Sequence, residues 1–275
     1  MATPEKLIDI REVIRKKNPT LAKIMPGFVV SFMKRLIHED DVNRLIYDYR
    51  DRSGLSFVRS ILEDLKVTYS VEGLEQVPVG GRYIFASNHP LGGFDGLVLM
   101  DAIGTVFPEI RFIVNDLLLN IKNFDPVFIP VNKHGRQPAE YAHKIDETYS
   151  GNAQVLYFPA GLCSRKIKGQ ITDLKWNKNF VQKSVQYKRD VVPIYFEGRN
   201  SNFFYNLANL RKTLKIKANI EMAFLVDELF KQTGRHMHLK FGTPIPYATF
   251  DKSKNYNQWT DVVREQVYRL KRITE

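Results

Sequence analysis

The chain has 275 residues, 44% of them hydrophobic, and 41 Lys and Arg against 30 Asp and Glu give a formal net charge of +11. This length and apolar content allow a substantial core and argue against an intrinsically disordered protein. The positive charge favours an anionic partner, such as lipid headgroups or an acidic carrier protein. Nucleic acid ranks last because no basic-aromatic recognition module stands out. The single cysteine, Cys163, excludes an intramolecular disulfide and is typical of a reducing compartment.

The N-terminal part of the chain is predicted to be helical. Residues 8–17 favour a short charged helix, and residues 21–37 favour a more apolar one that Pro26 and Gly27 interrupt. The second segment is too short and too broken to span a bilayer, which needs roughly 20 apolar residues. It is therefore either an interfacial helix or a helix packed on the protein's own core. The N-terminus mixes both charges and has no long apolar run, so no signal peptide is predicted.

The rest of the chain has no internal repeat or linker, and its predicted strands and helices follow one another in an order compatible with an open α/β sheet. The predicted strands cover 67–71, 83–86, 110–114, a strand end with a basic loop within 124–133, a run beginning at 154 that leads into a basic turn, 191–196 and 236–241. An apolar element is predicted to begin at 117–119. The predicted helices cover 53–65, a segment beginning near 97, 138–149, 176–187, 203–214 and 256–273. His236 and His238 share one face of the last strand, but without further ligands they do not indicate a metal site.

Residues 87–96, Ser-Asn-His-Pro-Leu-Gly-Gly-Phe-Asp-Gly, lie between a predicted buried strand and a predicted helix. His89 and Asp95 therefore share one turn, in which Gly92 and Gly93 permit backbone angles that other residues resist. A neutral imidazole accepts a proton near neutral pH, and it is a better base when a carboxylate holds its other nitrogen. The pattern indicates a general-base pair at a sheet edge. A core histidine beside a helix-capping aspartate fits the local sequence equally well.

Four stretches, in this order, resemble the motifs of the glycerolipid acyltransferases, the lysophosphatidic-acid acyltransferase type. Asn88, His89 and Asp95 match the first motif, although five residues separate the histidine from the aspartate where the family has four. Residues 192–194, Val-Pro-Ile, match the fourth motif, and residues 242–245 resemble the Gly-x-Pro-Ile stretch that closes the family's catalytic domain.

The second and third motifs match with departures. Phe128 and Ile129 match the second motif, but no arginine stands two positions later, and Lys133 and Arg136 lie slightly further on. In the third, Phe-Pro-Glu-Gly-Thr followed by Ser-Arg, Ala160 replaces the family's glutamate. The residues that match this third motif are Phe158, Pro159, Gly161, Ser164 and Arg165. The missing glutamate belongs to the acceptor site of the glycerol-phosphate enzymes, so its loss argues against an ordinary glycerol-phosphate acceptor.

The resemblance implies an α/β fold of the glycerol-3-phosphate acyltransferase type, with a mixed central sheet flanked by helices. It also implies an N-terminal helical, membrane-interfacial region at 1–55 and an acyltransferase domain at 56–275. The glycine insertion and the missing glutamate are similar to the bacterial branch that acylates the 3-hydroxyl of lyso-ornithine or lyso-glycine lipids. The implied co-substrate is an acyl carrier protein or coenzyme A thioester, with no metal and no other cofactor.

Residue roles follow from the same resemblance. The implied catalytic residues are His89 as base and Asp95 as its orienting carboxylate. The implied substrate-binding residues are Asn88, Gly92, Gly93, Lys133, Phe158, Pro159, Gly161, Ser164, Arg165 and Lys166. Among these, Arg165 and a neighbouring lysine are expected to hold the acceptor's carboxylate.

Two alternatives remain open at this point. One is a 1-acylglycerol-3-phosphate acyltransferase with a divergent acceptor site, and the other is a non-catalytic lipid- or carrier-binding protein that keeps the fold. For either enzyme, the expected partners are the thioester, the lyso-lipid and an anionic membrane surface, without nucleic acid. The expected location is the cytoplasmic face of a bacterial inner membrane, with a peripheral or monotopic attachment.

Overall fold

The computed structural model describes residues 7–115, 121–131 and 139–271. The helices in this part of the chain are α1 (Ile10–Lys17), α2 (Pro19–Ile24), α3 (Gly27–Leu36), α4 (Glu39–Asp48), α5 (Gly54–Asp64), α6 (Phe94–Gly104), α7 (Ala139–Ser150), α8 (Asn179–Tyr187), α9 (Asn202–Thr213), α10 (Leu225–Phe230) and α11 (Tyr256–Arg269). The strands are β1 (Thr68–Glu72), β2 (Tyr83–Ser87), β3 (Ile110–Asn115), β4 (Phe128–Val131), β5 (Gln154–Tyr157), β6 (Arg165–Ile167), β7 (Gln170–Thr172), β8 (Asp190–Glu197) and β9 (His236–Phe241).

Seven strands form one mixed sheet in the order β1-β9-β8-β2-β5-β3-β4, and β6 and β7 form a separate hairpin. Strands β8, β2, β5, β3 and β4 are mutually parallel, whereas β9 pairs antiparallel with β8 and parallel with β1. The carboxyl ends of five strands therefore meet at one edge of the sheet, which is where open α/β sheets bind their ligands. The turn 87–96 leaves β2, which lies between β8 and β5, at that edge.

Helix α6 follows this turn and runs through the interior of the protein. All of its residues from Phe94 to Ile103 are buried, as expected for a helix that is apolar on every side. Its one buried acid away from the turn, Asp101, accepts hydrogen bonds from the Tyr69 hydroxyl at 2.7 Å and from Arg59 Nε at 3.1 Å. Because α6 is enclosed, the turn before it is attached to a fixed support.

The N-terminal helices are joined by one buried acid, Glu39. It accepts a hydrogen bond from the Ile10 main-chain N–H at 2.9 Å and pairs with Lys34 Nζ at 3.0 Å. His38 connects this region to α10, because its Nε2 lies 3.1 Å from Asp227 Oδ1 and its ring stacks on Phe230. Within residues 7–115, 121–131 and 139–271, no helix has the length and apolarity that crossing a membrane requires.

The prediction of a mixed sheet flanked by helices is confirmed, and most predicted elements lie within a few residues of their observed bounds. The predicted helix 21–37 is two helices, because α2 ends at Ile24 and α3 begins at Gly27, after Pro26, which cannot donate the N–H that a continuous helix needs. Three elements were not predicted: α4, α10 and the hairpin of β6 and β7, which the sequence indicated only as a basic turn. The apolar element predicted near 117–119 lies outside the described residues.

Candidate active site

The turn between β2 and α6 brings His89 and Asp95 together. The Nδ1 atom of His89 lies 3.1 Å from Oδ2 of Asp95, and the Asp95 side chain is fully buried. Asp95 also accepts the main-chain N–H groups of Leu91, at 2.9 Å, and Gly96, at 3.0 Å. Since these donors hold both carboxylate oxygens as acceptors, the His89 tautomer that fits carries its proton on Nδ1. Nε2 is then the nitrogen able to accept a proton from another molecule.

The imidazole ring of His89 lies against an aromatic ring from the neighbouring strand. Phe158, which follows β5, stacks on His89 with 4.0 Å between ring centroids and an interplanar angle of 19°. Phe158 is in turn held edge-on by Phe112 of β3 at 5.3 Å. This packing fixes the plane of the imidazole and places a π face beside any imidazolium that forms. The predicted site residue Phe158 thus contacts the imidazole of His89 directly.

A second buried carboxylate, Asp173, holds the main chain of the histidine. Its Oδ1 accepts the main-chain N–H of His89 at 3.2 Å and the Ser164 hydroxyl at 2.5 Å, and its Oδ2 accepts the Trp176 indole N–H at 2.8 Å. The main-chain N–H of Ser164 donates to the His89 carbonyl at 2.7 Å. Burial raises the pKa of Asp173, against the lowering effect of its hydrogen-bond donors. Ser164 therefore lies behind the histidine and supports it.

Two asparagines join the turn to β8 and to the loop that follows it. Asn88 donates to the carbonyl of Phe196 at 2.9 Å and accepts the N–H of the same residue at 2.7 Å, which reproduces a strand-like pairing. Asn200 donates from its side chain to the Pro90 carbonyl at 3.2 Å. Both side chains are buried. The side-chain amide of Asn88, a residue predicted to bind substrate, is thus hydrogen-bonded to the main chain of Phe196.

Gly92 and Gly93 differ in their surroundings. Gly92 has φ +87°, a conformation that favours glycine, and a Cβ there would lie 2.8 Å from Leu225 Cδ2, so the Leu225 side chain would also have to shift. Gly93 has φ −95° and ψ −28°, and a Cβ on it would meet no described atom within 4 Å. Gly93 therefore borders open space just before α6, where main-chain N–H groups point out of the helix N-terminus.

The guanidinium of Arg165 is engaged inside the protein. Its Nη2 lies 2.8 Å from Glu221 Oε1, its Nη1 donates to the Cys163 carbonyl at 2.6 Å, and the side chain is only 8% exposed. Glu221 is itself fully buried and pairs with Arg211 Nε at 2.8 Å. This geometry favours a positioning role for Arg165, which anchors the start of β6 next to Ser164.

The other predicted site residues lie in the turn after β5, in the β6–β7 hairpin, or outside the described residues. Pro159 and Gly161 form the turn after β5, where the N–H of Gly161 donates to the Phe158 carbonyl at 3.0 Å. Lys166, on β6, is partly exposed. Lys133 lies outside the described residues. Cys163 is fully buried, and burial raises the pKa of its thiol to about 11, which suits a packing residue better than a nucleophile.

Sequence reasoning missed Asp173, Asn200 and Glu221. Asp173 lies 84 positions from His89, and Glu221 lies 56 positions from Arg165, so no local spacing connects either pair. One signal was available, because Glu221 is the first acid after a run from 199 to 220 that has none. An isolated acid beside a basic run is a reasonable candidate for a buried ion pair.

Comparisons with known proteins give one matching family model and several similar proteins. A family model described as acyltransferase matches residues 12–275. A lyso-glycine lipid O-acyltransferase of Bacteroides thetaiotaomicron is 44% identical over 265 residues, which are 96% of this chain and 97% of that protein. A protein with the same name from Phocaeicola vulgatus is 43% identical and covers 96% of this chain and 95% of its own length. A crystal structure of the 1-acyl-sn-glycerophosphate acyltransferase from Thermotoga maritima aligns with a TM-score of 0.48 and 14% identity, covering 89% of this chain and 97% of that one.

Proposed function

This chain belongs to the acyltransferase family, and we propose that it moves a fatty acyl group from an acyl thioester to the 3-hydroxyl of a lyso-glycine lipid. The observation that carries the proposal is the contact between His89 and Asp95 at the carboxyl edge of the sheet. Both relatives, which cover nearly the whole chain at 43% and 44% identity, are named for acyl transfer to this class of acceptor.

His89 acts as the general base in this mechanism. With the proton of Nδ1 donated to Asp95, Nε2 accepts the proton of the acceptor's hydroxyl group as its oxygen attacks the thioester carbonyl. The imidazolium that forms is stabilised by the ionised Asp95 and by the face of Phe158. Asp95 keeps its own charge throughout, since two main-chain N–H groups and the ring already bind its oxygens.

The attack forms a carbon–oxygen bond and places a negative charge on the former carbonyl oxygen. The main-chain N–H groups of Gly92 and Gly93, at the N-terminus of α6, are the donors that we assign to this oxyanion. Collapse of the tetrahedral intermediate breaks the carbon–sulfur bond. The proton held by His89 then passes to the departing thiolate, which leaves as the free thiol of the carrier.

The acceptor's carboxylate needs a cation near the turn. Arg165 is engaged by Glu221, so we assign the contact to Lys166, the next residue on β6, whose side chain is partly exposed. Ala160 stands where the glycerol-phosphate enzymes have glutamate and supplies no group for a glycerol hydroxyl. A lyso-amino-acid lipid presents one carboxylate and one hydroxyl, and it therefore needs fewer headgroup contacts than lysophosphatidic acid.

The donor and the location complete the proposal. The donor is an acyl carrier protein or coenzyme A thioester, which serves as a co-substrate. The protein is attached peripherally to the cytoplasmic face of the inner membrane through its N-terminal helices, where Ile24, Phe28 and Phe32 are 70%, 76% and 56% exposed. Apolar side chains at such exposure, on helices too short to cross, suit insertion at the membrane interface.

The test is a side-by-side assay of purified protein with one acyl donor and two acceptors. We expect a higher kcat/KM with an N-(3-hydroxyacyl) glycine than with lysophosphatidic acid. Lipid mass spectrometry of cells that lack the protein should show accumulation of the monoacylated amino-acid lipid. A clear preference for lysophosphatidic acid would instead support a glycerol-phosphate acceptor, which is the alternative that the resemblance leaves open.

A further inference from the structure

A second exposed surface, distinct from the N-terminal helices, borders residues 87–96. We call these residues the catalytic turn, because the proposed base His89 lies in them. It consists of the β6–β7 hairpin, α9 and the segment that follows α9 to residue 220, and we call it the α9 surface. Its exposed apolar side chains are Ile167 at 41%, Phe203 at 53%, Leu210 at 55%, Leu214 at 60%, Ile216 at 39% and Ile220 at 41%. Residues 212–220 are all exposed, and Phe203, earlier on α9, contacts the ring of Phe224 with 5.0 Å between ring centroids.

The charge of the α9 surface has a single sign. No Asp or Glu occurs from 199 to 220 or from 160 to 172, and the basic residues between the apolar ones are Lys166, Lys168, Lys212, Lys215 and Lys217. The acids that directly follow these segments, Asp173 and Glu221, are buried, and Glu221 pairs with Arg165 and Arg211. The lysines of this surface therefore meet no acid on their own segments.

The α9 surface is attached to the elements that hold the base. Arg165, at the start of the hairpin, follows Ser164, whose N–H donates to the His89 carbonyl. The side chain of Asn209 on α9 donates to the Lys166 carbonyl at 3.4 Å, which joins helix to hairpin. Phe204 of α9 packs with buried Cys163, and Arg165 lies over the Phe204 ring at 5.3 Å. A partner on this surface therefore lies beside the catalytic turn.

We propose that the α9 surface docks on an anionic lipid bilayer, with its apolar side chains inserted among the acyl chains and its lysines at the headgroups. Lysines interleaved with exposed Leu, Ile and Phe are typical of segments that lie in the membrane interface. An acidic carrier protein would match the lysines but would leave six exposed apolar side chains without a matching apolar partner. The bilayer satisfies both, and it presents a lipid acceptor at the catalytic turn without a transfer through water.

The experiment measures co-sedimentation of the full-length protein with vesicles of phosphatidylcholine, with and without phosphatidylglycerol. Each neutralised lysine near an anionic membrane should weaken binding about five-fold, so Lys212→Gln/Lys215→Gln should weaken binding to the anionic vesicles about 25-fold. Leu210→Gln/Leu214→Gln should reduce binding to both kinds of vesicle. These side chains are exposed, so circular dichroism should show unchanged folding.

Matched controls separate this surface from total charge and from the N-terminal helices. Lys188 and Lys252 are exposed on other elements, and Lys188→Gln/Lys252→Gln should bind as wild type. Val79, 70% exposed in the loop before β2, provides the apolar control as Val79→Gln. Because binding is read without turnover, the result stands whether or not the proposed acceptor is correct.

Three outcomes would overturn the proposal. The first is wild-type binding of both α9 variants to anionic vesicles. The second is loss of binding only in a Phe28→Gln/Phe32→Gln variant, which would assign the membrane contact to the N-terminal helices alone. The third is unchanged vesicle binding together with a loss of turnover confined to carrier-protein thioesters, which would assign the α9 surface to the carrier protein.

Discussion

The catalytic turn and the α9 surface are neighbours, but they are built in opposite ways. At the turn, His89, Asp95 and Asn88 all have protein partners, and two of these partners, Asp173 and Phe196, lie far from the turn in the sequence. On the α9 surface, six apolar side chains are 39–60% exposed, and the segments that carry them contain Lys and Arg but no Asp or Glu. This difference indicates that contacts within the protein fix the geometry of the turn. In our proposal, the contacts of the exposed α9 side chains come instead from the lipid bilayer. Changes at the turn should therefore matter in any medium, and changes on the surface only beside a membrane.

The largest effect is expected at the base. His89→Ala removes the proton acceptor, and general-base contributions are about 10²–10⁴-fold, so kcat should fall by that factor. The ring is small and lies at the edge of the core, so the thermal midpoint should change little. Thioester-release assays and circular dichroism measure the two quantities. Normal turnover in a folded His89→Ala protein would exclude the pair from the mechanism.

The next comparison uses the two adjacent glycines. The methyl group of Gly93→Ala would meet no described atom, and the backbone angles of Gly93 suit alanine, so this variant should fold as wild type. We expect its kcat/KM to be lower by about 10²-fold, because the methyl group displaces the carbonyl of the reacting thioester. Gly92→Ala should cost about 1–3 kcal/mol of stability, because φ +87° strains any other residue. Urea unfolding and steady-state kinetics separate the two variants. Wild-type kinetics for Gly93→Ala would remove this glycine from the substrate site.

A smaller effect is expected at the carboxylate behind the histidine. Both oxygens of Asp173 accept hydrogen bonds, so in Asp173→Asn one amide orientation or the other places a donor against a donor. We expect a loss of about 1–3 kcal/mol in the free energy of unfolding and a lower kcat, because the main chain of His89 loses its support. Asp251→Asn, at an exposed carboxylate, is the control and should be close to neutral. An Asp173→Asn protein with unchanged stability and kcat would contradict the positioning role.

The pH dependence of stability should show the smallest effect. Burial raises the pKa of Asp173 above its ordinary value of 3.8, so the folded protein holds this proton more tightly than the unfolded chain does. Its contribution to stability is therefore fully present below pH 3.8 and is lost as the pH rises through the raised pKa. The stability of wild type minus that of Asp173→Asn should fall across this window. A difference that rises with pH would mean that the carboxylate is stabilised by its donors instead.

The sequence could predict those parts of the protein whose structure is determined by residues close together in the chain. The apolar run before His89 predicts β2, the glycines predict a turn, and six positions bring Asp95 to the imidazole. The hairpin after Arg165 was missed because its strands are only three residues long and carry no alternating pattern. Asp173 and Glu221 could not be assigned to their partners, because these lie 84 and 56 positions away in the sequence.

Arg165 has an interior partner that the resemblance did not predict, and its expected contact with the acceptor stays a prediction. Its place after Ser164 implies a contact with the acceptor, and the planar fork of arginine suits a carboxylate. In the structure that carboxylate belongs to Glu221, within the protein, and the side chain has little exposure. The motif match identifies Arg165, but it does not predict that the ion-pair partner of this arginine is Glu221, which lies 56 positions away.

The hydrogen bond from Trp176 to Asp173 also provides an intrinsic fluorescence probe of the candidate active site. The chain has two tryptophans, and Trp259→Phe would leave Trp176 as the sole indole emitter. Because its N–H is bound to the same carboxylate that holds the main chain of His89, its emission should respond when that carboxylate gains a proton or shifts. Stopped-flow fluorescence of the Trp259→Phe protein would then record substrate binding in real time, with no label and no modified lipid.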